Sequence, residues 1–131
     1  MIVLDTQAWL WWLHEPSRLS EHVQRALRAA EREDGMTVSV ISVWEVATKC
    51  ALGKLVLPMQ MNEWFALART YRGIIIEPVS ADDAMASACL PGDFHEDPAD
   101  RIIVALARRL RARLVTSDSL IRVYPHVTTL W

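Results

Sequence analysis

The chain is short of the residues that staple or cage a fold. Its 131 residues hold two cysteines, Cys50 and Cys89, and they are not in a CxxC pair. That excludes a zinc site built by spacing and a disulfide scaffold; two buried thiols in helices is the plain reading. The histidines His14, His22, His95 and His126 are dispersed, so no HExxH-type cage is available. No apolar run is long enough to span a bilayer. The opening Met1-Ile-Val-Leu lacks a basic region and is cut short by Asp5, so no signal peptide is expected and the expected location is cytoplasmic. Excess positive charge is missing too. At a net charge of −2 the protein is no generic polyanion binder, and any nucleic-acid contact needs a local basic patch or a bound metal.

What is present is an ordinary globular composition, 52% hydrophobic and 23% charged, enough to bury a core. Ile2 to Leu4 reads as a strand buried on both faces. Thr6 is placed to cap a helix ending near Pro16, and Ser20 to start a second helix that Gly35 stops. Residues 37–41 read as a strand, with Ser42 capping a helix over 43–52. A helix over 62–72, a buried strand over 74–76 and a short helix over 80–90 come next. Asp97-Pro98 opens a long helix to about Leu110; strands are expected over 114–116 and 127–130. Strands alternate with helices, which predicts an α/β fold: a mainly parallel central sheet with helices on both faces, in three layers. With no repeat, low-complexity tract or linker, residues 1–131 are expected to form one domain.

In such a sheet the strand C-termini and the helix N-termini after them share one edge. Asp5 ends the first strand, Glu45 lies in the first turn after the second, and Asp118 comes directly after the fourth. Asp100 starts the helix that leads into that fourth strand, so it faces the same edge. Each acid has a bland reading by itself. Asp97 and Asp100 make a good helix start, Glu45 and Lys49 are spaced i,i+4, and Asp118 can cap a turn. Asp5 is harder to dismiss, because an unpaired charge at the end of a buried run is costly. Four carboxylates at one rim repel one another unless a hard divalent cation joins them.

The segments Val3-Leu4-Asp5-Thr6, Ser39-Val40-Ile41-Ser42-Val43-Trp44-Glu45-Val46-Ala47, His95-Glu96-Asp97-Pro98-Ala99-Asp100-Arg101 and Val115-Thr116-Ser117-Asp118 resemble the motifs of PIN-domain nucleases. Within them the chain is most similar to VapC-type toxins of bacterial toxin–antitoxin pairs, from Met1 to Trp131. The resemblance implies a PIN-like fold and an acidic tetrad, Asp5, Glu45, Asp100 and Asp118, that is catalytic and binds Mg²⁺ or Mn²⁺, one or two ions. It implies endonucleolytic hydrolysis of RNA phosphodiester bonds, inhibition of translation and growth, and a cognate antitoxin that occludes the site. Ala99 departs from the bulky residue usual between Pro and Asp in the third motif, without removing a ligand. Asp5 and Asp100 are expected as direct ligands, with Glu45 and Asp118 acting through water, orienting the nucleophile or completing a second site.

Around the tetrad, Thr6 and Thr116 either hydrogen-bond carboxylates or phosphate, or serve as cap and strand residues. Asp97 is either a fifth rim acid or a cap. Arg101, a cation in a first turn, either pairs with Asp97 or Glu96 or touches substrate phosphate. His95 either positions RNA or is an ordinary loop histidine. Lys49 is either Glu45's partner or a phosphate contact. Arg108, Arg109, Arg111 and Arg113 read as cations at a helix C-terminus, away from the acidic rim. Adjacent Trp11 and Trp12 cannot share one core stripe, so one is expected at an interface, with a second copy in a homodimer or with the antitoxin. The rival readings are a non-catalytic protein-interaction module and an acidic-pocket phosphotransfer domain. Glu77-Pro78 after the third strand and Gln7 two residues after Asp5 do not fit the latter.

Overall fold

The computed structural model describes residues 1–131. Five strands form one sheet in the order β3-β2-β1-β4-β5: β1 (Ile2–Leu4), β2 (Met36–Ser39), β3 (Ile74–Glu77), β4 (Arg113–Val115) and β5 (Thr129–Leu130). Every neighbouring pair is parallel, with Val3 opposite Thr37 on one side and Leu114 on the other. Parallel neighbours need crossovers, which α1 (Thr6–His14), α2 (Glu21–Arg32), α3 (Val40–Ala51), α4 (Met61–Arg69), α5 (Ala81–Ala88), α6 (Pro98–Leu110) and the short α7 (Ser119–Arg122) supply. The fold is therefore the α/β three-layer arrangement the alternation predicts, with no antiparallel strand.

The period-2 alternation of β1 splits the core in two. Ile2 and Leu4 join Trp9, Trp12, Val23, Leu27, Met36, Val38 and Trp64 on one face. Val3 joins Ile103, Val104, Leu106, Leu114, Ile121 and Tyr124 on the other. Both faces of β1 are thus covered, and its three residues are buried. Gly35 and Gly73, both at φ +80°, turn the chain into β2 and β3. A Cβ on Gly35 would meet the Gly73 carbonyl oxygen at 2.7 Å, so no side chain fits there.

Several boundaries differ from those expected. Asp5, not Thr6, caps α1, accepting from Ala8 N at 2.7 Å. Ser39, not Ser42, caps α3, which starts three residues earlier than expected; Ser42 lies fully buried inside that helix. The third strand is an edge strand, with Ile75 45% exposed, because nothing pairs beyond it. Cys50 is half-buried and Cys89 exposed rather than both being core thiols. No helix is long and apolar enough to cross a membrane.

Candidate active site

Asp5 caps α1 from the end of β1, and Asp118 caps α7 just after β4, accepting from Leu120 N at 2.8 Å. Asp97 caps α6, accepting from Asp100 N at 2.9 Å. Each of these caps ties one carboxylate oxygen to a backbone N–H and so fixes where its carboxylate points. Capping and convergence are therefore compatible uses of the same side chains.

The four acids lie at the edge where β1, β2 and β4 end and α6 begins, and they act on one another electrostatically. Asp5, 7% exposed, has its pKa raised from 3.8 to about 6, first by burial and then by Asp118 and Glu45; bonds from the Thr116 hydroxyl and the Ala8 N–H oppose the shift. Asp100 is raised from 3.8 to about 7 by burial, then by Asp97, Asp118, Glu45 and Asp5. Asp118 and Glu45 thus act on both Asp5 and Asp100, and Asp5 acts on Asp100. No three His, Cys, Asp or Glu side chains are drawn close enough to cage one ion by themselves. The donors are all carboxylate oxygens, and their mutual repulsion is what a hard cation with a partial water shell relieves.

Two threonines organise these carboxylates. Thr6 Oγ1 lies 2.8 Å from Ser42 Oγ and 2.5 Å from Glu45 Oε1. One hydroxyl has one proton, so Thr6 donates to the Glu45 carboxylate and accepts from Ser42. Thr116, fully buried, accepts from Asp118 N at 3.0 Å and leaves its own proton for Asp5. Both threonines thus hold tetrad carboxylates. Ser42 joins this hydrogen-bonded set through Thr6, a contact that sequence alone does not reveal. Its one outward sign is a hydroxyl three residues before Glu45, and helix capping accounts for that equally well.

Other expectations are revised. Glu45 forms no ion pair with Lys49, which is exposed; Thr6 is its partner instead. Arg101 pairs with neither Asp97 nor Glu96. Its guanidinium donates to the carbonyls of Ser87 (2.7 Å), Phe94 (3.0 Å) and His95 (3.1 Å), which explains a cation in a first turn: it staples the preceding loop to α6. That loop sets His95 Nε2 3.1 Å from Asp100 Oδ2, buried and without an aligned hydrogen bond. His95 is therefore not an ordinary loop histidine. Trp44, 58% exposed, lines a cleft of about 290 Å³ with Ile41, Glu45, Asp97, Pro98 and Ala99. Of the adjacent tryptophans, Trp12 is buried and Trp11 half-buried against Trp131.

A model of the PIN domain matches residues 2–126. Ribonuclease VapC22 of Mycobacterium tuberculosis is 36% identical over 133 residues, covering 99% of this chain and 98% of that protein. Among solved structures, VapBC2 from Rickettsia felis, bound to a DNA fragment from its promoter, matches with TM-score 0.71 and 17% identity over 99% of this chain and 98% of that one. FitAcB from Neisseria gonorrhoeae matches with TM-score 0.66 and 20% identity, covering 100% and 97%. At those identities the solved structures speak for the fold, and the mycobacterial relative for the family. With an acid at all four motif positions, the chain belongs to the PIN-domain family, among the VapC ribonucleases.

Proposed function

We propose that this protein is a metal-dependent endoribonuclease that hydrolyses RNA phosphodiester bonds as the toxin of a toxin–antitoxin pair. The observation that carries the reading is the gathering of Asp5, Glu45, Asp100 and Asp118 at one sheet edge, where burial and the neighbouring acids hold the Asp5 and Asp100 carboxyls near pKa 6 and 7. Acids kept only to cap helices have no use for that crowding. Asp5 and Asp100 would hold Mg²⁺ or Mn²⁺ directly, with Glu45 and Asp118 acting through water. The bound ion supplies Lewis acidity and offsets the charge of the phosphodiester. Thr6, itself held by Ser42, keeps one Glu45 oxygen occupied and aims the other at the rim, where it orients the attacking water. Thr116 does the same for the Asp5 carboxylate, while its oxygen holds the Asp118 backbone N–H. Asp97 adds negative charge beside Asp100, and Lys49, exposed one turn beyond Glu45, contacts RNA phosphate. Arg101 acts indirectly, by holding the His95 loop against Asp100.

The protein works in the cytoplasm as one domain over residues 1–131, with a cognate antitoxin and a second copy of itself as partners. The antitoxin is supported by the toxin–antitoxin complex from Klebsiella pneumoniae and the VapBC complexes that share the fold. Exposed Trp44 and half-buried Trp11 offer aromatic anchors for such contacts. The test is expression with and without the neighbouring small reading frame, in wild type and Asp100→Asn, with purified protein assayed on RNA plus Mg²⁺, Mn²⁺ or a chelator. Cleavage by Asp100→Asn at the wild-type rate, or cleavage that survives chelation, would sink the reading.

A further inference from the structure

At the sheet edge opposite the acids, α6, β4 and the segment before β5 enclose a cleft of about 330 Å³. It is lined by Arg108, Arg111, Arg113 and His126, with Thr128, and no acidic residue borders it. Arg108, Arg111 and Arg113 take part in no ion pair, whereas their neighbour Arg109 is held by both Asp83 and Glu77. Carboxylates are thus within reach of one arginine of the run and withheld from the other three. Arg108 donates to the His126 carbonyl, which fixes one wall of the cleft.

A second observation concerns the backbone. All four glycines of the chain sit at positive φ, and the one other residue there is Arg111, at φ 52° and ψ 38°. It closes α6 in the left-handed conformation usually given to glycine, with Ala112 N bonded to Ala107 O at 2.9 Å. An arginine there is disfavoured relative to glycine, and helix-end electrostatics alone do not need it, since Arg108 and Arg109 already lie in the last turn. An outlier kept at some cost, inside an unpaired basic cleft, points to a ligand.

We propose that this cleft is a phosphate-binding anchor for RNA at a distance from the cleaved bond. It deepens the ribonuclease reading and rests on it. Asp100 and Arg111 stand at opposite ends of α6, about 17 Å apart along its axis at 1.5 Å per residue. A substrate of a few nucleotides occupies only the acidic rim. A longer strand reaches both ends of α6, and the anchor compensates for an overall charge of −2 that otherwise repels RNA.

The experiment uses the full chain with Arg111→Gly and Arg113→Gln combined. Glycine suits the left-handed position, so the variant should melt no lower than wild type, and any loss is one of charge. Binding of labelled single-stranded RNA is measured with Mg²⁺ on a phosphorothioate backbone, which keeps its charge and resists cutting, with strands of about 30 and about 5 nucleotides. The anchor predicts a loss of about 5- to 10-fold for the long strand, a salt dependence shallower by about 1.4 in log–log slope for two lost phosphate contacts, and no change for the short strand. With Mg²⁺, KM should rise on long RNA while kcat holds. Equal effects on both lengths, an unchanged salt slope, or wild type binding the long strand no better than the short would overturn it. Weakened antitoxin binding with unaltered RNA binding would overturn it too, and would mark the cleft as a protein contact. Long-strand binding that depends on the arginines, in a protein that cuts no RNA, would keep the anchor and sink the nuclease reading.

Discussion

Metal-free protein should lose stability as the pH rises from about 4 to about 7, the reverse of an ordinary acid-unfolding curve. Asp5 and Asp100 have folded-state pKa values of about 6 and about 7 against 3.8 for the free side chain. Between those limits the folded state binds more protons than the unfolded one, so the slope of unfolding free energy with pH is negative. The penalty is absent below the unfolded value and complete once the pH passes the folded ones. Shifts of about 2 and 3 pH units correspond to about 3 and 4 kcal/mol at 1.36 kcal/mol each. The two titrate beside the same acids, and Asp5 contributes to the Asp100 shift, so they do not add fully and a total on the order of 3–5 kcal/mol is expected. Set against a stability of about 5–15 kcal/mol, that is readily measured. Urea unfolding at pH 5 and pH 8 in chelator is the assay. Wild type should unfold at lower urea at pH 8, and Asp100→Asn should shrink the difference while raising stability at pH 8. Saturating Mn²⁺ should flatten the wild-type slope, because a cation at the rim favours the charged carboxyls. A stability that climbs from pH 5 to pH 8 without metal, or an Asp100→Asn slope equal to wild type, would refute the reasoning.

Ser42→Ala removes the donor behind Thr6 in a fully buried position, and should cost about 1–2 kcal/mol in melting experiments while lowering cleavage more than RNA binding. Asp83→Asn breaks a two-point pairing with Arg109 (2.7 and 3.0 Å) at a site 2% exposed, with an expected loss of about 3 kcal/mol by chemical denaturation and no change in kcat. Trp9→Ala empties the core beside Trp64, whose ring centroid is 5.1 Å away, and should destabilise by about 3–5 kcal/mol, enough to abolish soluble expression. Trp44→Ala should weaken antitoxin binding by about 2 kcal/mol or more, read by titration with the antitoxin, with kcat on RNA little changed.

The tetrad is legible in the sequence because its placement depends on topology, and topology comes from alternation. Once strands and helices alternate in a parallel sheet, the residue after each strand and the first turn after it share an edge, whatever the boundaries. An error of three residues at the start of α3 therefore does not move Glu45 off the rim. The same tolerance hides Ser42. Ser39 and Ser42 each precede a helical run, and capping preference does not separate two serines one turn apart. Only the fold shows Ser39 holding Ile41 N while Ser42 turns inward to Thr6. Arg101 is illegible for a related reason. The dipole and the nearby acids that bear on its first-turn position are all local in sequence, but its partners are carbonyls of α5 and the loop after it, up to fourteen residues away.

The Arg101 staple also fixes the setting of His95. Arg101 holds the His95 carbonyl, and the imidazole Nε2, 3.1 Å from Asp100 Oδ2, has no aligned hydrogen-bond partner. A cation at the rim would draw the Asp100 carboxylate toward it, and the imidazole beside Oδ2 would then steady that carboxylate. His95→Gln, which keeps a side-chain N–H, should therefore retain more Mn²⁺ affinity than His95→Ala, measured by calorimetry with no RNA present. Equal affinity in the two variants would mean that the imidazole only fills space beside Phe94, whose ring centroid lies 4.4 Å away.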